Sequence, residues 1–134
     1  MDTATRAAVR RRAGNRCEYC QLLQEHSELP HHIEHIVPRQ HGGSDDTGNL
    51  ALACQRCNLN KGPNLAGMDS VSGKIAELFH PRRDRWEEHF FLEGVRIEGR
   101  TPVGRATVSV LGMNEDRRLK LRSELADREA GSEW

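Results

Sequence analysis

The chain has 134 residues, of which 36% are hydrophobic and 4% aromatic, a small share for a self-sufficient core. Lys plus Arg and Asp plus Glu each number 20, so no global field draws the protein onto a polyanion. No apolar run approaches the ~20 residues of a membrane span, and the Arg-rich start lacks the apolar segment of a signal peptide. We therefore expect one small cytoplasmic protein whose core is supplemented by a cross-link or a metal ion.

The first predicted element is a helix over residues 2–13, a stretch rich in Ala and Arg without Gly or Pro. Thr3 or Thr5 is the expected N-cap, and Gly14 is placed to end the helix. The arginines of this region could form a local basic face, or they could belong to an ordinary solvated helix face. They are Arg6, Arg10, Arg11, Arg12 and Arg16.

The next part of the chain predicts the order strand, loop, strand, helix. Residues 31–37 form the first strand, residues 39–48 a Gly- and Asp-rich loop, residues 49–53 the second strand and residues 55–61 a short helix. Alternation places Ile33 and His35 on one face of the first strand, and His32, Glu34 and Ile36 on the other.

Beyond residue 63 we expect a strand over residues 74–79 and a helical turn opening at Pro81. Residues 94–100 and 105–111 alternate around a turn, which indicates a hairpin. A final helix capped by Asn114 follows. Residues 64–134 are thus predicted to form an extension packed on residues 1–63 in one compact domain.

Two CxxC pairs, Cys17/Cys20 and Cys54/Cys57, supply four thiolates. Four thiolates are the tetrahedral ligand set of a structural zinc ion and leave no open position for catalysis. Two disulfides or a redox pair are the alternatives, and a reducing compartment disfavours both.

The polar residues between the cysteine pairs predict a second centre. The carboxylate of Glu34 and the amide oxygen of Asn58 suit Mg²⁺ or Mn²⁺, which keep several waters and take further oxygens from a substrate phosphate. His35 offers an imidazole that is largely neutral at neutral pH, as a general base must be. Because neighbouring strand residues point to opposite sides, Glu34 and His35 can serve one site only if the strand bends or a phosphate lies across it.

Taken together, these motifs resemble those of the HNH endonucleases. The resemblance covers roughly residues 6–63 and rests on both CxxC pairs and on Glu34-His35-Ile36-Val37-Pro38, Gly42-Gly43, Asn49-Leu50 and Asn58-x-x-Lys61-Gly62. It implies an α+β fold with a ββα-metal (His-Me finger) nuclease core stabilised by the four-cysteine zinc site. The hairpin and the last helix would then be a C-terminal extension.

The resemblance also implies roles for single residues. Glu34 and Asn58 would hold one catalytic metal ion, His35 would activate the attacking water, and Asn49 would hold the loop and orient the backbone or ring of His35. The ion would stabilise the phosphate and the leaving 3′ oxygen, which leaves 5′-phosphate and 3′-hydroxyl ends. Glu34 stands where Asp is frequent and Asn58 where the last His would be, a pair that favours Mg²⁺ or Mn²⁺ over Zn²⁺.

Three further residues are candidate substrate contacts. His32 could contact phosphate or assist the metal ion, Arg39 could contact phosphate from the loop, and Lys61 could reach phosphate from the short helix. Each also has an ordinary interpretation: His32 as an exposed spectator, Arg39 as a loop charge and Lys61 as a cation at a helix C-terminus.

The predicted function is therefore a metal-dependent HNH endonuclease that hydrolyses DNA phosphodiester bonds. The alternative is a catalytically inactive, zinc-stapled module for nucleic-acid binding or protein interaction. A toxin-type nuclease neutralised by a partner would share the chemistry and differ in context. DNA is the expected partner, and the neutral net charge also suggests a homodimer or a separate recognition partner.

Overall fold

A computed structural model of the chain describes residues 1–128, so the end of the predicted extension lies outside the described residues. The helices are α1 Thr3–Ala13, α2 Gln55–Lys61, α3 Trp86–His89, α4 Pro102–Leu111 and α5 Asp116–Arg128. The strands are β1 His32–His35, β2 Leu50–Ala53, β3 Ala66–Met68, β4 Ile75–Glu77, β5 Phe90–Glu93 and β6 Arg96–Gly99. No helix within this part of the chain has the length and apolar character needed to cross a membrane.

The predicted order of strand, loop, strand and helix is confirmed. Strands β1 and β2 pair antiparallel, with Glu34 opposite Ala51 and His35 opposite Leu50, and α2 follows directly. Because directly paired residues share a face, Glu34 and His35 lie on opposite faces of this hairpin. Helix α1 covers the His35 face, where Val9 packs with Leu50 and neighbouring residues.

The N-cap of helix α1 differs from the predicted residues. The N-cap is Asp2, whose Oδ1 accepts a hydrogen bond from the Thr5 amide at 2.7 Å. Thr3 and Thr5, the predicted caps, already lie inside the helix. Gly14 ends the helix with φ 62°, a left-handed conformation that glycine adopts at low cost, as predicted.

The hairpin predicted from residues 94–100 and 105–111 is wrong in its second strand. The hairpin present is β5–β6, which turns at Gly94, and residues 102–111 form α4. Thr101 caps α4 by accepting a hydrogen bond from the Gly104 amide at 3.0 Å, and Pro102 occupies the first turn. This start signal outweighs the alternation of Val108 and Val110 with polar residues.

Asn114 does not cap α5 through its side chain as predicted. Its amide instead pairs with the backbone of Ile97, accepting from the N–H at 2.9 Å and donating to the carbonyl at 2.8 Å. Asn114 therefore connects the last helix to the β5–β6 hairpin.

One hydrophobic cluster joins the two halves of the described chain. It includes Cys17 and Tyr19 from the first half, and Phe79, Phe90 and Leu111 from the second. The indole N–H of Trp86 donates to the Tyr19 carbonyl at 2.8 Å, and Arg82 forms an ion pair with Glu18. Residues 79–111 thus hold the turn that carries the first cysteine pair.

Candidate metal centre and active site

The four cysteines lie together in the interior. Their Sγ atoms are all within 4.8 Å of one another, and Cys20 Sγ is 3.7 Å from Cys54 Sγ. None of the four forms a disulfide. Four thiolates bound tetrahedrally at about 2.3 Å from zinc are about 3.8 Å apart, so the cluster fits a zinc-sized tetrahedral ion.

Each CxxC pair forms the same local turn. The amide of Cys20 donates to Cys17 Sγ at 3.4 Å, and the amide of Cys57 donates to Cys54 Sγ at 3.4 Å. The first turn connects α1 to the core, and the second begins α2. An ion held by both turns would therefore fix the position of α2 relative to the start of the chain.

The electrostatics of the cluster favour a bound cation. Hydrogen bonds from Cys17 lower the pKa of Cys20 and of Cys54, whereas burial raises the pKa of Cys17 and of Cys57. Arg118 donates to Cys57 Sγ at 2.9 Å, and although burial opposes it, the neighbouring thiolates raise the pKa of this guanidinium above its usual range. For all four sulfurs to be ionised at this spacing, positive charge must lie among them.

Glu34 occupies the interior face of β1. Its side chain is 7% exposed; Oε1 accepts a hydrogen bond from the Tyr19 hydroxyl, and Oε2 lies 3.3 Å from Lys61 Nζ. Burial raises the pKa of Glu34, while Lys61 and Tyr19 act in the opposite direction. The carboxylate is thus held between the first cysteine turn and α2.

Lys61 is more deeply buried than a phosphate contact would be. Its side chain is 2% exposed, and Nζ donates to the Ile36 carbonyl at 3.0 Å besides pairing with Glu34. The phosphate contact predicted for Lys61 does not fit this burial. Lys61 instead ties α2 to β1.

Asn58 lies three residues before Lys61 on α2, so the two side chains leave the helix on roughly the same side. Asn58 is half-buried, and within residues 1–128 its side-chain amide has no hydrogen-bond partner. Each oxygen of Glu34 can accept a second bond beyond those from Tyr19 and Lys61. A carboxylate and an amide oxygen are ligand types that suit Mg²⁺ or Mn²⁺, which keep several waters.

His35 ends β1 on the other face, and the backbone bends at the next two residues. Its Nε2 is 2.7 Å from Asp45 Oδ1, and Arg39 donates to both Asp45 oxygens at 2.8 and 2.9 Å. Hydrogen bonds from His35 and Arg39 lower the pKa of Asp45, so this carboxyl is ionised and can only accept. Nε2 therefore carries a proton, and in the neutral imidazole Nδ1 is left as a proton acceptor.

Asn49 holds the loop that carries Asp45. Its Oδ1 accepts from the Val37 amide at 2.9 Å, and its Nδ2 donates to the carbonyls of Val37 at 3.0 Å and of Ser44 at 2.8 Å. These contacts join Asn49 to the loop through Ser44 and to Val37, and none of them goes to the backbone or ring of His35. Gly43 packs so tightly here that a Cβ would lie 1.6 Å from the Val37 carbonyl oxygen.

Two residues of this site were missed by the sequence analysis. Asp45 stands beside Asp46 in the Gly-rich loop, and no local pattern tells which of the two reaches His35. Tyr19 has the pattern of an ordinary core aromatic. The other two candidate substrate contacts remain accessible, since His32 is exposed at the start of β1 and Arg39 is exposed on the loop.

Residues 17–64 match the family model described as HNH endonuclease. A curated relative, the Septu protein PtuB of Bacillus thuringiensis, is 26% identical over 109 residues, which cover 80% of this chain and 40% of the relative. The chain therefore spans less than half the length of this relative. No solved structure gives a significant match.

Proposed function

We propose that this chain, whose residues 17–64 carry an HNH endonuclease domain, hydrolyses DNA phosphodiester bonds with one divalent metal ion. The family match supports a nuclease-type function in general. The observation that carries the finer proposal is the 2.7 Å hydrogen bond between His35 Nε2 and Asp45 Oδ1. It leaves Nδ1 of the neutral His35 ring able to accept a proton. Because Glu34 and His35 lie on opposite faces of β1, the proposal requires that the phosphate lie across the end of this strand, where the backbone bends.

In the proposed mechanism His35 takes a proton at Nδ1 from the attacking water, and Asp45 stabilises the resulting imidazolium. Asn49 keeps the loop, and with it Asp45, in place. Glu34 and Asn58 would hold Mg²⁺ or Mn²⁺, and such an ion supplies positive charge for the phosphate and for the leaving oxygen. The four cysteines would hold Zn²⁺ in a purely structural role.

Substrate contacts in this proposal come from exposed cations near the site. Arg39 is exposed and has further guanidinium N–H groups beyond those that Asp45 accepts, so it can reach a phosphate near His35. His32 lies on the same side of β1 as Glu34 and could contact a neighbouring phosphate. The homodimer or recognition partner expected from the neutral net charge stays a prediction.

One observation favours the alternative, an inactive nucleic-acid-binding or interaction module. Glu34 is 7% exposed and is engaged by Tyr19 and Lys61, as a purely structural carboxylate would be. The two functions differ in whether the chain cuts DNA, so a cleavage assay separates them.

The test is cleavage of supercoiled plasmid in Mg²⁺ or Mn²⁺ by the wild type, by His35→Ala and by His41→Ala. His41 is an exposed histidine near the same loop and is the matched control. We expect nicked or linear DNA with the wild type and with His41→Ala, and none with His35→Ala or with EDTA. A wild type that binds DNA but stays inert in every metal would establish the binding module instead.

A further inference from the structure

A groove lies between α1 and the start of β1, with a cavity volume of about 490 Å³. Its polar lining consists of Arg6, Arg10, His31, His32 and Gln55, and its apolar lining includes Leu29 and Pro30. None of the lining residues carries a carboxylate. The groove is therefore basic, although the chain as a whole is neutral.

Both arginines of the groove have guanidinium N–H groups left for a ligand. Arg10 donates one N–H to the His31 carbonyl at 3.0 Å, which fixes the guanidinium at the groove wall and leaves further N–H groups. Arg6 is exposed, and within residues 1–128 its side chain has no hydrogen-bond or ion-pair partner. Arg12, in contrast, is engaged by the carbonyls of Thr47 and Leu50.

The groove shares two elements with the proposed metal ligands, because His32 of β1 and Gln55 of α2 line it. His32 and Glu34 are two residues apart, so they share one side of β1, and Gln55 and Asn58 are three apart, so they share one side of α2. Along a strand, two residues span about 7 Å, which equals about two base-pair rises of DNA. A DNA strand lying along β1 would therefore bring a phosphate about two nucleotides from the scissile one to the groove.

We infer that the groove lined by Arg6, Arg10, His32 and Gln55 binds a backbone phosphate of the DNA strand, about two nucleotides from the scissile phosphate. This inference rests on the proposed action on DNA. Guanidinium groups bind phosphate oxygens through paired N–H donors, and such contacts position a nucleic acid without reading its sequence. The groove thus sets where the DNA strand lies relative to Glu34 and Asn58.

The test compares Arg6→Glu with Arg11→Glu in the full chain. Both residues are on α1 and exposed, both substitutions change the net charge equally, and only Arg6 lines the groove. Binding to two short labelled duplexes of unrelated sequence is measured by fluorescence anisotropy over a range of salt, with Ca²⁺ in place of Mg²⁺. Arg6→Ala is added as a milder variant, and circular dichroism checks the fold.

We expect Arg6→Glu to weaken binding about tenfold and to lower the salt slope of log K by about 1, equally for both duplexes. Arg11→Glu should change affinity less than about twofold, because its charge acts only at a distance. Equal effects of the two reversals would overturn the groove site. If the wild type cuts DNA and the two variants lose the same affinity, the groove proposal fails and the proposed hydrolysis stands. If Arg6→Glu alone weakens binding and the wild type never cuts DNA, the proposed hydrolysis fails and the groove proposal stands.

Discussion

The Tyr19 hydroxyl donates a hydrogen bond to Oε1 of Glu34. A residue inside the first CxxC turn therefore contacts the carboxylate that we propose as a metal ligand. Tyr19 is fully buried, and its own backbone carbonyl is held by Trp86. Through this one side chain, the first cysteine turn contacts the proposed catalytic site.

We expect Tyr19→Phe to keep the packing of the ring and to leave one oxygen of Glu34 without its donor. Losing a hydrogen bond to a buried charged group should lower the free energy of unfolding by about 1–3 kcal/mol. Urea denaturation measures this change, and titration with Mn²⁺ should show weaker binding because the carboxylate is less well positioned. Zinc content should stay the same as in the wild type. Unchanged stability together with unchanged Mn²⁺ affinity would show that the contact has neither role.

We expect loss of the buried ion pair between Lys61 and Glu34 to lower the free energy of unfolding more than Tyr19→Phe does. Lys61→Met leaves an unpaired carboxylate in the interior, which should cost about 3–5 kcal/mol of unfolding free energy. Adding Glu34→Gln removes the stranded charge, so the double variant should recover much of this loss. Lys74→Met is the control, since Lys74 is exposed on a turn. A double variant as unstable as Lys61→Met would mean that the loss comes from packing rather than from charge.

The cysteine cluster predicts that folding depends on a metal ion. Purified protein should contain one zinc ion per chain, and Cys54→Ser should lower zinc content and abolish cooperative thermal unfolding, because binding and folding of such sites are coupled. Atomic absorption and a thermal melt with and without a chelator measure this. A metal-free chain that melts with the wild-type transition would contradict a structural role, and a thiol titration would then test for disulfides.

Local patterns were enough to predict the hairpin of β1 and β2, the helix α2 and the cysteine cluster. The alternation of side chains predicts the strands, Gly62-Pro63 predicts the end of α2, and the CxxC spacing predicts the cysteine turns. Each of these signals lies within a few residues of the chain. The failure at residues 105–111 has a local cause too. Val108 and Val110 alternate with polar residues as in a strand, yet Ala106, Thr107 and Leu111 are buried at helical spacing. The helix start signal at Thr101 and Pro102 favours the helical spacing over the strand-like alternation.

The rest of the site depends on tertiary placement that no local pattern encodes. Lys61 reads as a helix-end cation in sequence, but the seam with β1 buries it against Glu34. Asp45 and Asp46 are equivalent as loop residues until Asn49 and Gly43 fix the course of the loop against Val37. The sequence therefore shows which side-chain types are available for the site, and the tertiary packing determines which of them contact one another.

The close approach of Gly43 to Val37 predicts that this glycine is required for the loop. In Gly43→Ala the new Cβ would clash with the Val37 carbonyl, so the loop must shift and the contact of Asp45 with His35 should be lost. We expect at least a tenfold loss of plasmid cleavage and a lower melting temperature. Gly48→Ala is the matched control, because a Cβ there meets no atom within 4 Å. Equal activity of the two variants would show that the loop tolerates the shift.

We expect His31 to contribute to the fall of the free energy of unfolding at acidic pH. It is 1% exposed, its Nε2 donates to the Leu22 carbonyl at 2.9 Å, and within residues 1–128 its Nδ1 has no partner. Burial lowers the pKa of His31, so below about pH 6.5 the unfolded chain binds a proton more readily than the folded chain. The stability linked to His31 is therefore complete above that pH and is lost as the pH falls through this window.

His31→Gln should keep the bond to Leu22 and flatten the fall of unfolding free energy between pH 7 and pH 5, by at most about one proton per chain. His41→Gln, at an exposed site, should leave the slope unchanged, and protonation of the cysteine cluster contributes equally to both variants. Urea denaturation at a series of pH values measures both slopes. If the two slopes coincide with that of the wild type, His31 accommodates its proton in the folded state, and the acid sensitivity comes from the cysteine cluster or from another buried group.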